Sequence, residues 1–252
     1  MPPSERYSSL MEPDLLRIHA KFPAVAEYLS SIYILLRDYG HVTNTRLAEW
    51  NGVSVPAVTQ AIGRLKRLGL VHQKRYESVT LSEEGRLLAI KVLRRHYLVE
   101  HLLVGLLGYP WDKADEEAMR LQSQISDELA EHLFRRLGSP QACPHGNPMP
   151  NAPIERALLD AKKLSEAPPG EVRIVRITEE GEQLPSMLAF CHSIGLRPGA
   201  MFMVKRGDTE NLYVRHAGKG AAGTPEGEGF AETAIPLSMA RHIRYEEAAA
   251  SL

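Results

Sequence analysis

Thr43-Asn44-Thr45-Arg46-Leu47-Ala48-Glu49-Trp50-Asn51-Gly52, followed by Val53-Ser54-Val55-Pro56-Ala57-Val58-Thr59-Gln60-Ala61-Ile62-Gly63-Arg64-Leu65-Lys66-Arg67-Leu68-Gly69 and the segment from Leu70 to Leu81, decides the fold. The first run offers hydroxyl caps, then Leu47, Ala48 and Trp50 on one helical face, and Asn51-Gly52 as a stop. Ser54 caps a second helix with Pro56 inside its first turn, where a missing N–H costs nothing. Val58, Ile62, Leu65 and Leu68 recur at helical spacing until Gly69. The opposite face carries Thr59, Gln60, Arg64 and Lys66, the hydroxyl, amide and cationic groups that reading a major groove requires. Leu70 to Leu81 folds on paper as two strands around a basic tip at Lys74 and Arg75. Together these are the parts of a winged helix-turn-helix.

Between Ala61 and Tyr76 there is no acidic residue, while Arg64, Lys66, Arg67, Lys74 and Arg75 are basic. A charge run alone suits any solvated helix face. Here it sits where a reading head needs phosphate contacts. Ser54, Pro56, Thr59 and Gln60 are assigned to base edges, with Arg64, Lys74 and Arg75 nearer phosphates, and double-stranded operator DNA is the expected partner.

The chain has 252 residues, 44% of them hydrophobic, enough for two or three domains with their own cores. Thirty Lys and Arg against 31 Asp and Glu give a formal net charge of −1, so any basic patch is local and is balanced by acid elsewhere, as at Asp112 to Glu117 and Glu226 to Glu232. Two cysteines, Cys143 and Cys191, exclude a disulfide scaffold and fit a reducing cytosol. The apolar stretch Val92 to Leu107 is interrupted by Arg94, Arg95, His96, Glu100 and His101, so no membrane span and a cytoplasmic location are expected. No phosphate-cradling glycine loop and no Ser/His/Asp pattern is found, and an enzyme is not expected.

Met1 to Lys21 is a polar lead with a possible short helix at Asp14 to His19. A helix from Phe22-Pro23 to Gly40 has Val25, Leu29, Ile32, Tyr33 and Leu36 as its stripe. After the wing, a long helix is expected from Glu84 to Leu107. A second one, from Lys113 to Leu137, is expected to pack antiparallel to it and to leave apolar faces for a homodimer interface. Prolines between Gly138 and Pro153 mark a rigid connector. A short helix over Ile154 to Leu164 leads into a β-rich module with strands at Val172 to Ile177, Met201 to Lys205, Leu212 to His216 and His242 to Tyr245, a helix over Leu184 to Ile194, and a Gly/Ala-rich loop at Gly218 to Gly229. The fold class is multidomain α+β: a winged helix-turn-helix at 1–82, a helical dimerisation domain with its connector at 83–153, and a short helix with an SH3-like β-barrel at 154–252.

Two constellations can hold a metal ion. His96 and Glu100 lie four residues apart on one helix face. Cys143-Pro144-His145-Gly146-Asn147-Pro148 places a thiolate and an imidazole two residues apart in a proline-stiffened loop, where ordering costs little entropy.

The reading head, the helix segment Leu93-Arg94-Arg95-His96-Tyr97-Leu98-Val99-Glu100, the Cys143 to Pro148 motif and the turn Gly195-Leu196-Arg197-Pro198-Gly199 together resemble the diphtheria toxin repressor family, in particular its longer manganese or iron members with an SH3-like C-terminal domain. The resemblance implies a homodimeric metal-dependent regulator, a repressor more readily than an activator, that binds palindromic operator DNA when loaded with Mn²⁺ or Fe²⁺ and so controls metal homeostasis. It also implies ligand positions. Glu27 stands where the family has a first-helix ligand of its principal site, and Met119, Gln122 and Ser123 stand where the second dimerisation helix supplies the others. A carboxylate and an imidazole are thus replaced by an amide and a hydroxyl, both poorer ligands. His96 and Glu100 match the family's other site, to which Cys143 and His145 contribute in some members, with an acidic group from the SH3-like domain at Glu179 or Glu180. The alternative function is a regulator that has left metal sensing, binding DNA constitutively or responding through a redox-sensitive Cys143.

Overall fold

The computed structural model describes residues 23–74, 77–207, 209–217 and 232–247. The N-terminal lead with its expected short helix, Arg75 of the wing tip and the Gly218 to Gly229 loop lie outside the described residues. By contact density the chain divides into one unit of residues 1–98 and 119–136 and another of 99–118 and 137–252.

In the first unit, helix α1 (Pro23–Tyr39) lies under the helix-turn-helix formed by α2 (Asn44–Asn51) and α3 (Val55–Arg67). The caps act as their chemistry predicts. Thr43 Oγ1 accepts from the Arg46 amide at 3.1 Å, Ser54 Oγ from the Ala57 amide at 3.3 Å, and Gly52 ends α2 at φ +63°. Each hydroxyl cap contributes roughly 1 kcal/mol. Leu29, Ile32, Leu35, Leu47, Val58, Ile62 and Leu65 close into one buried core. The wing is shorter than the sequence suggests: β1 (Val71–His72) and β2 (Thr80–Leu81) pair antiparallel over two residues each.

Helix α4 (Glu83–His101) follows, capped by Ser82 Oγ on the Gly85 amide at 3.0 Å. A side chain at Gly85 would strike the Leu70 carbonyl, so the first turn of α4 lies directly against the reading head. Two helical expectations are not met. The α-helical geometry of α4 ends at His101, and Leu102–Leu106 winds as a π-helix. The second long helix is not continuous: α5 (Ala114–Leu121) gives way to a 3₁₀ turn at Gln122–Gln124, and α6 (Asp127–Arg136) starts afresh. Ser126 is the cause, its hydroxyl capping the Leu129 amide at 3.1 Å while Ile125 turns extended. Asp127 then receives Lys91 Nζ at 2.7 Å and Arg95 Nη2 at 2.6 Å, and Glu131 receives Arg94 Nη2 at 2.9 Å. These bridges pin α6 to α4.

The second unit holds α7 (Glu155–Asp160), the strand β3 (Lys162–Lys163) and an antiparallel sheet completed by β4 (Gly170–Ile177), β5 (Met201–Arg206), β6 (Asn211–His216), β7 (Thr233–Pro236) and β8 (Ile243–Glu247). Its strand order is β3-β8-β4-β5-β6-β7, so the expected barrel is an open SH3-like sheet with β3 and β7 at its edges. Two short helices, α8 (Glu179–Glu182) and α9 (Met187–Ser193), follow β4, and α10 (Leu237–Ala240) precedes β8. Val172, Ile174, Phe202, Val204, Leu212, Val214 and Ile243 form its core together with Trp111.

Candidate functional site

The Cys143 to Pro148 segment is a closed turn. Its ends are bridged at Ala142 and Pro148, the Cys143 amide donates to the Asn147 carbonyl at 2.8 Å, and the Gly146 amide donates to the Cys143 carbonyl at 2.9 Å. Gly146 has φ +92°, and a Cβ there would collide with the Val175 carbonyl of β4, so only glycine lets the turn lie this close. The Ile177 amide then reaches the His145 carbonyl at 2.9 Å, and Asn147 Nδ2 donates to the Ile177 carbonyl at 3.0 Å.

This seating fixes the imidazole. His145 Nε2 lies 3.0 Å from the Trp111 carbonyl, which can only accept, so Nε2 carries a proton. Nδ1 faces inward, 3.5 Å from Glu100 Oε1 and 3.6 Å from Glu182 Oε1. Trp111 braces the turn as well, its Nε1 donating to the Pro144 carbonyl at 3.0 Å and its ring edge-on to the imidazole. Donor atoms of Glu100, Cys143 and His145 all lie within 4.8 Å of one another, and all three residues are buried. Glu100 is in the last turn of α4, directly before the π-helical segment, a rare geometry that recurs at functional positions.

A second layer holds this set. Asn147 Nδ2 also donates to Glu182 Oε1, Arg176 Nε to Asn147 Oδ1, and Arg176 Nη2 to Glu179 Oε2 at 2.6 Å. Three buried carboxylates, Glu100, Glu179 and Glu182, thus meet the Arg176 guanidinium or the His145 imidazole. Burial disfavours charge on His145, but Glu182 and Glu100 outweigh it and raise the imidazolium to about 10. Burial pushes the Glu182 carboxyl well up, against the pull of His145. The Cys143 thiol is also pushed well up by burial and then by Glu100, Glu182 and Glu179. Such a thiol is a poor peroxide sensor, since oxidation needs an accessible thiolate. Glu100, Cys143 and His145 could together hold a divalent cation, whose charge would favour the thiolate form of Cys143. Oxygen, nitrogen and sulfur donors lie close together here.

The remaining expected ligands, His96 apart, are distributed differently. His96 is buried on α4, one turn before Glu100. Glu180 turns to His242, with its Oε2 3.8 Å from Nδ1, and Glu179 to Arg176, so the acidic group of α8 that meets His145 is Glu182. Met119 and Gln122 meet each other, Gln122 Nε2 donating to Met119 Sδ at 3.0 Å, while Ser123 Oγ accepts from Gln124. Glu27 is exposed and joins no group of three or more His, Cys, Asp or Glu donors among the described residues. Sequence reasoning missed Glu182, Asn147, Arg176 and Trp111. Period-2 alternation gives no signal for Arg176, because the register of β4 against β8 shifts between Ile174 and Arg176 and Arg176 is buried next to Ile177.

In the reading head, Pro56, Thr59, Gln60 and Arg64 line the exposed side of α3, and Ser54 stands exposed at its cap. The Thr59 hydroxyl donates to the Val55 carbonyl at 2.9 Å. Lys74 projects from the wing with its side chain 85% exposed.

Residues 23–79 match the family described as "Iron dependent repressor, N-terminal DNA binding domain", and residues 82–151 match "Iron dependent repressor, metal binding and dimerisation domain". The diphtheria toxin repressor of Corynebacterium jeikeium (strain K411) is 32% identical over 195 residues, which cover 69% of this chain and 81% of that protein. This chain belongs to the diphtheria toxin repressor family. The iron-dependent repressor IdeR of Mycobacterium leprae (strain TN) is 34% identical over 152 residues, 60% of this chain and 64% of the relative. A solved structure described as a manganese-dependent transcriptional repressor in complex with manganese superposes with a TM-score of 0.71 at 29% identity, over 89% of this chain and 100% of that one. Like other members of the diphtheria toxin repressor family, the chain is a metal-dependent transcription regulator, and it carries both the DNA-binding and the metal-binding and dimerisation domains. No helix among the described residues is long and apolar enough to cross a membrane.

Proposed function

We propose that this regulator represses transcription from palindromic operators as a homodimer, and that its working ion is held by Glu100, Cys143, His145 Nδ1 and Glu182. The observation that carries the assignment is the buried Glu100–Cys143–His145 group, whose donors already lie within 4.8 Å. A divalent ion among buried carboxylate, imidazole and thiol donors would offset the cost of burying their charges. Glu27, Met119 and Gln122 would make at most a weaker second position, because a thioether and an amide are poorer ligands for a hard ion than carboxylate and imidazole. Mn²⁺ and Fe²⁺ suit a mixed set with carboxylate and imidazole donors.

A bound divalent ion supplies the charge that lets these residues stay together as thiolate, imidazole and carboxylates. The chain does the rest. Trp111 and the Asn147–Arg176 pair hold His145 and Glu182 before any ion arrives, which lowers the ordering cost of binding. Glu100 ties the end of α4 to the connector, while the first turn of the same helix lies on Leu70 of the reading head. A helix fixed at its last turn restrains the head attached to its first, and two restrained heads meet successive major grooves with the spacing that a palindrome demands. The division into 1–82 for reading, 83–153 for dimerisation and 154–252 for the SH3-like support follows from these roles. The test is metal analysis of the purified chain, followed by DNA binding with and without Mn²⁺ or Fe²⁺. Binding that ignores both added ion and chelator would sink the proposal in favour of constitutive DNA binding.

A further inference from the structure

Three polar side chains on three elements of the reading head form one continuous bridge. Asn44 Nδ2, at the start of α2, donates to Thr59 Oγ1 on α3 at 3.1 Å. Gln73 Nε2, at the base of the wing tip, donates to Asn44 Oδ1 at 3.1 Å and to the Glu77 carbonyl at 3.3 Å. The Glu77 amide donates to the Lys74 carbonyl at 3.1 Å, and Lys66 Nζ of α3 reaches the Gln73 carbonyl at 2.9 Å. Thr59, whose proton goes to the Val55 carbonyl, has no hydrogen left for a base edge.

We propose that Asn44 is a positioning residue for DNA binding, setting the distance between the recognition helix and the wing so that Gln60 and Lys74 engage the duplex together. Two paired β residues on each side are too few to hold a wing by themselves. The Asn44 amide does so by spending its carbonyl on Gln73 and one N–H on Thr59. Thr59 accordingly serves the bridge and offers DNA its methyl group, a contact suited to thymine. The inference rests on the DNA-reading assignment of α3 and the wing.

The experiment uses the full-length, Mn²⁺-loaded protein and a duplex that the wild type selects from a random library, with an unselected duplex beside it, over about 50 to 300 mM salt. Asn44→Ala is expected to weaken binding to both duplexes about tenfold and to lower the salt slope by about one, as losing a phosphate contact does. In the double variant with Lys74→Ala, Asn44→Ala adds less than about twofold, because both remove the same contact. Gln73→Ala, which cuts the bridge from the other side, gives the same pattern and serves if Asn44→Ala does not fold. Additive losses with Lys74→Ala overturn the bridge, and so does a lowered Tm with an unchanged salt slope, since either makes Asn44 merely structural. Loss confined to the selected duplex overturns it too, making Asn44 a base reader. A wild type that selects no sequence fails the DNA-reading assignment itself, a result distinct from these.

Discussion

The indole of Trp111 stands edge-on to the imidazole of His145, with ring centroids 4.6 Å apart and planes inclined by 62°. The other tryptophan, Trp50, belongs to the reading head. In a Trp50→Phe background, Mn²⁺ or Fe²⁺ binding at His145 is therefore expected to change the emission of Trp111 with a saturable, stoichiometric dependence. Replacing His145 by Ala removes the response. A response that survives this change would place the ion elsewhere.

Glu182 and Glu180 are near neighbours with different tasks. Glu182→Gln keeps the shape but removes a donor charge 3.6 Å from His145 Nδ1, and should lower metal affinity about 10- to 100-fold in a competition titration. Glu180→Gln, which alters the contact to His242, is expected to leave affinity within about twofold. Equal losses in the two would refute the assignment of Glu182.

Asp127 answers two buried cations, Lys91 and Arg95. Burial works to raise its carboxyl, but the hydrogen bond from Lys91 and the charge and hydrogen bond of Arg95 win and hold it below the ordinary carboxylate range. A depressed carboxyl contributes stability that is present above its unfolded pKa of about 3.9 and disappears as pH falls through the folded value. Asp127→Asn should cost about 1 to 3 kcal/mol at neutral pH, discounted because the carboxylate is one-third exposed. Denaturant titrations should show that difference shrinking below about pH 4. A difference that stays constant down to about pH 3 would rule out the Lys91 and Arg95 ion pairs as its origin.

Gln60 and Lys74 divide reading from holding. Gln60→Ala should relax preference at one base position at a cost of about 1 to 3 kcal/mol on the selected duplex and little on random DNA. Lys74→Ala, removing an 85% exposed ammonium, should weaken all sequences alike and lower the salt slope by about one. Binding curves over a salt series separate the two effects.

Much of this protein is legible without coordinates where the signal is local. Thr43 and Ser54 cap the helices they announce, Gly52 stops α2, and the stripe of Val58, Ile62 and Leu65 is buried as its spacing requires. The stretch from Lys113 to Leu137 reads as one long helix because its apolar spacing continues through a break. Ser126 decides otherwise by capping the Leu129 amide, a choice between two local hydrogen-bonding patterns that periodicity does not register. The candidate site is half legible. Glu100, Cys143 and His145 can be named, but the choice among Glu179, Glu180 and Glu182 depends on which way one short helix faces.

The sequence alone determined the reading head, the family and the residue types able to hold a metal, because caps, turn glycines and helical spacing act over a few residues and need no distant partner. Only the tertiary structure decided which donors converge. Glu100, His145 and Glu182 are separated by long stretches of chain and meet because Gly146 allows the connector turn to lie on β4, where Arg176 and Asn147 orient Glu182 toward the imidazole. Such a meeting is set by packing and buried charge, and the order of residues does not encode it locally.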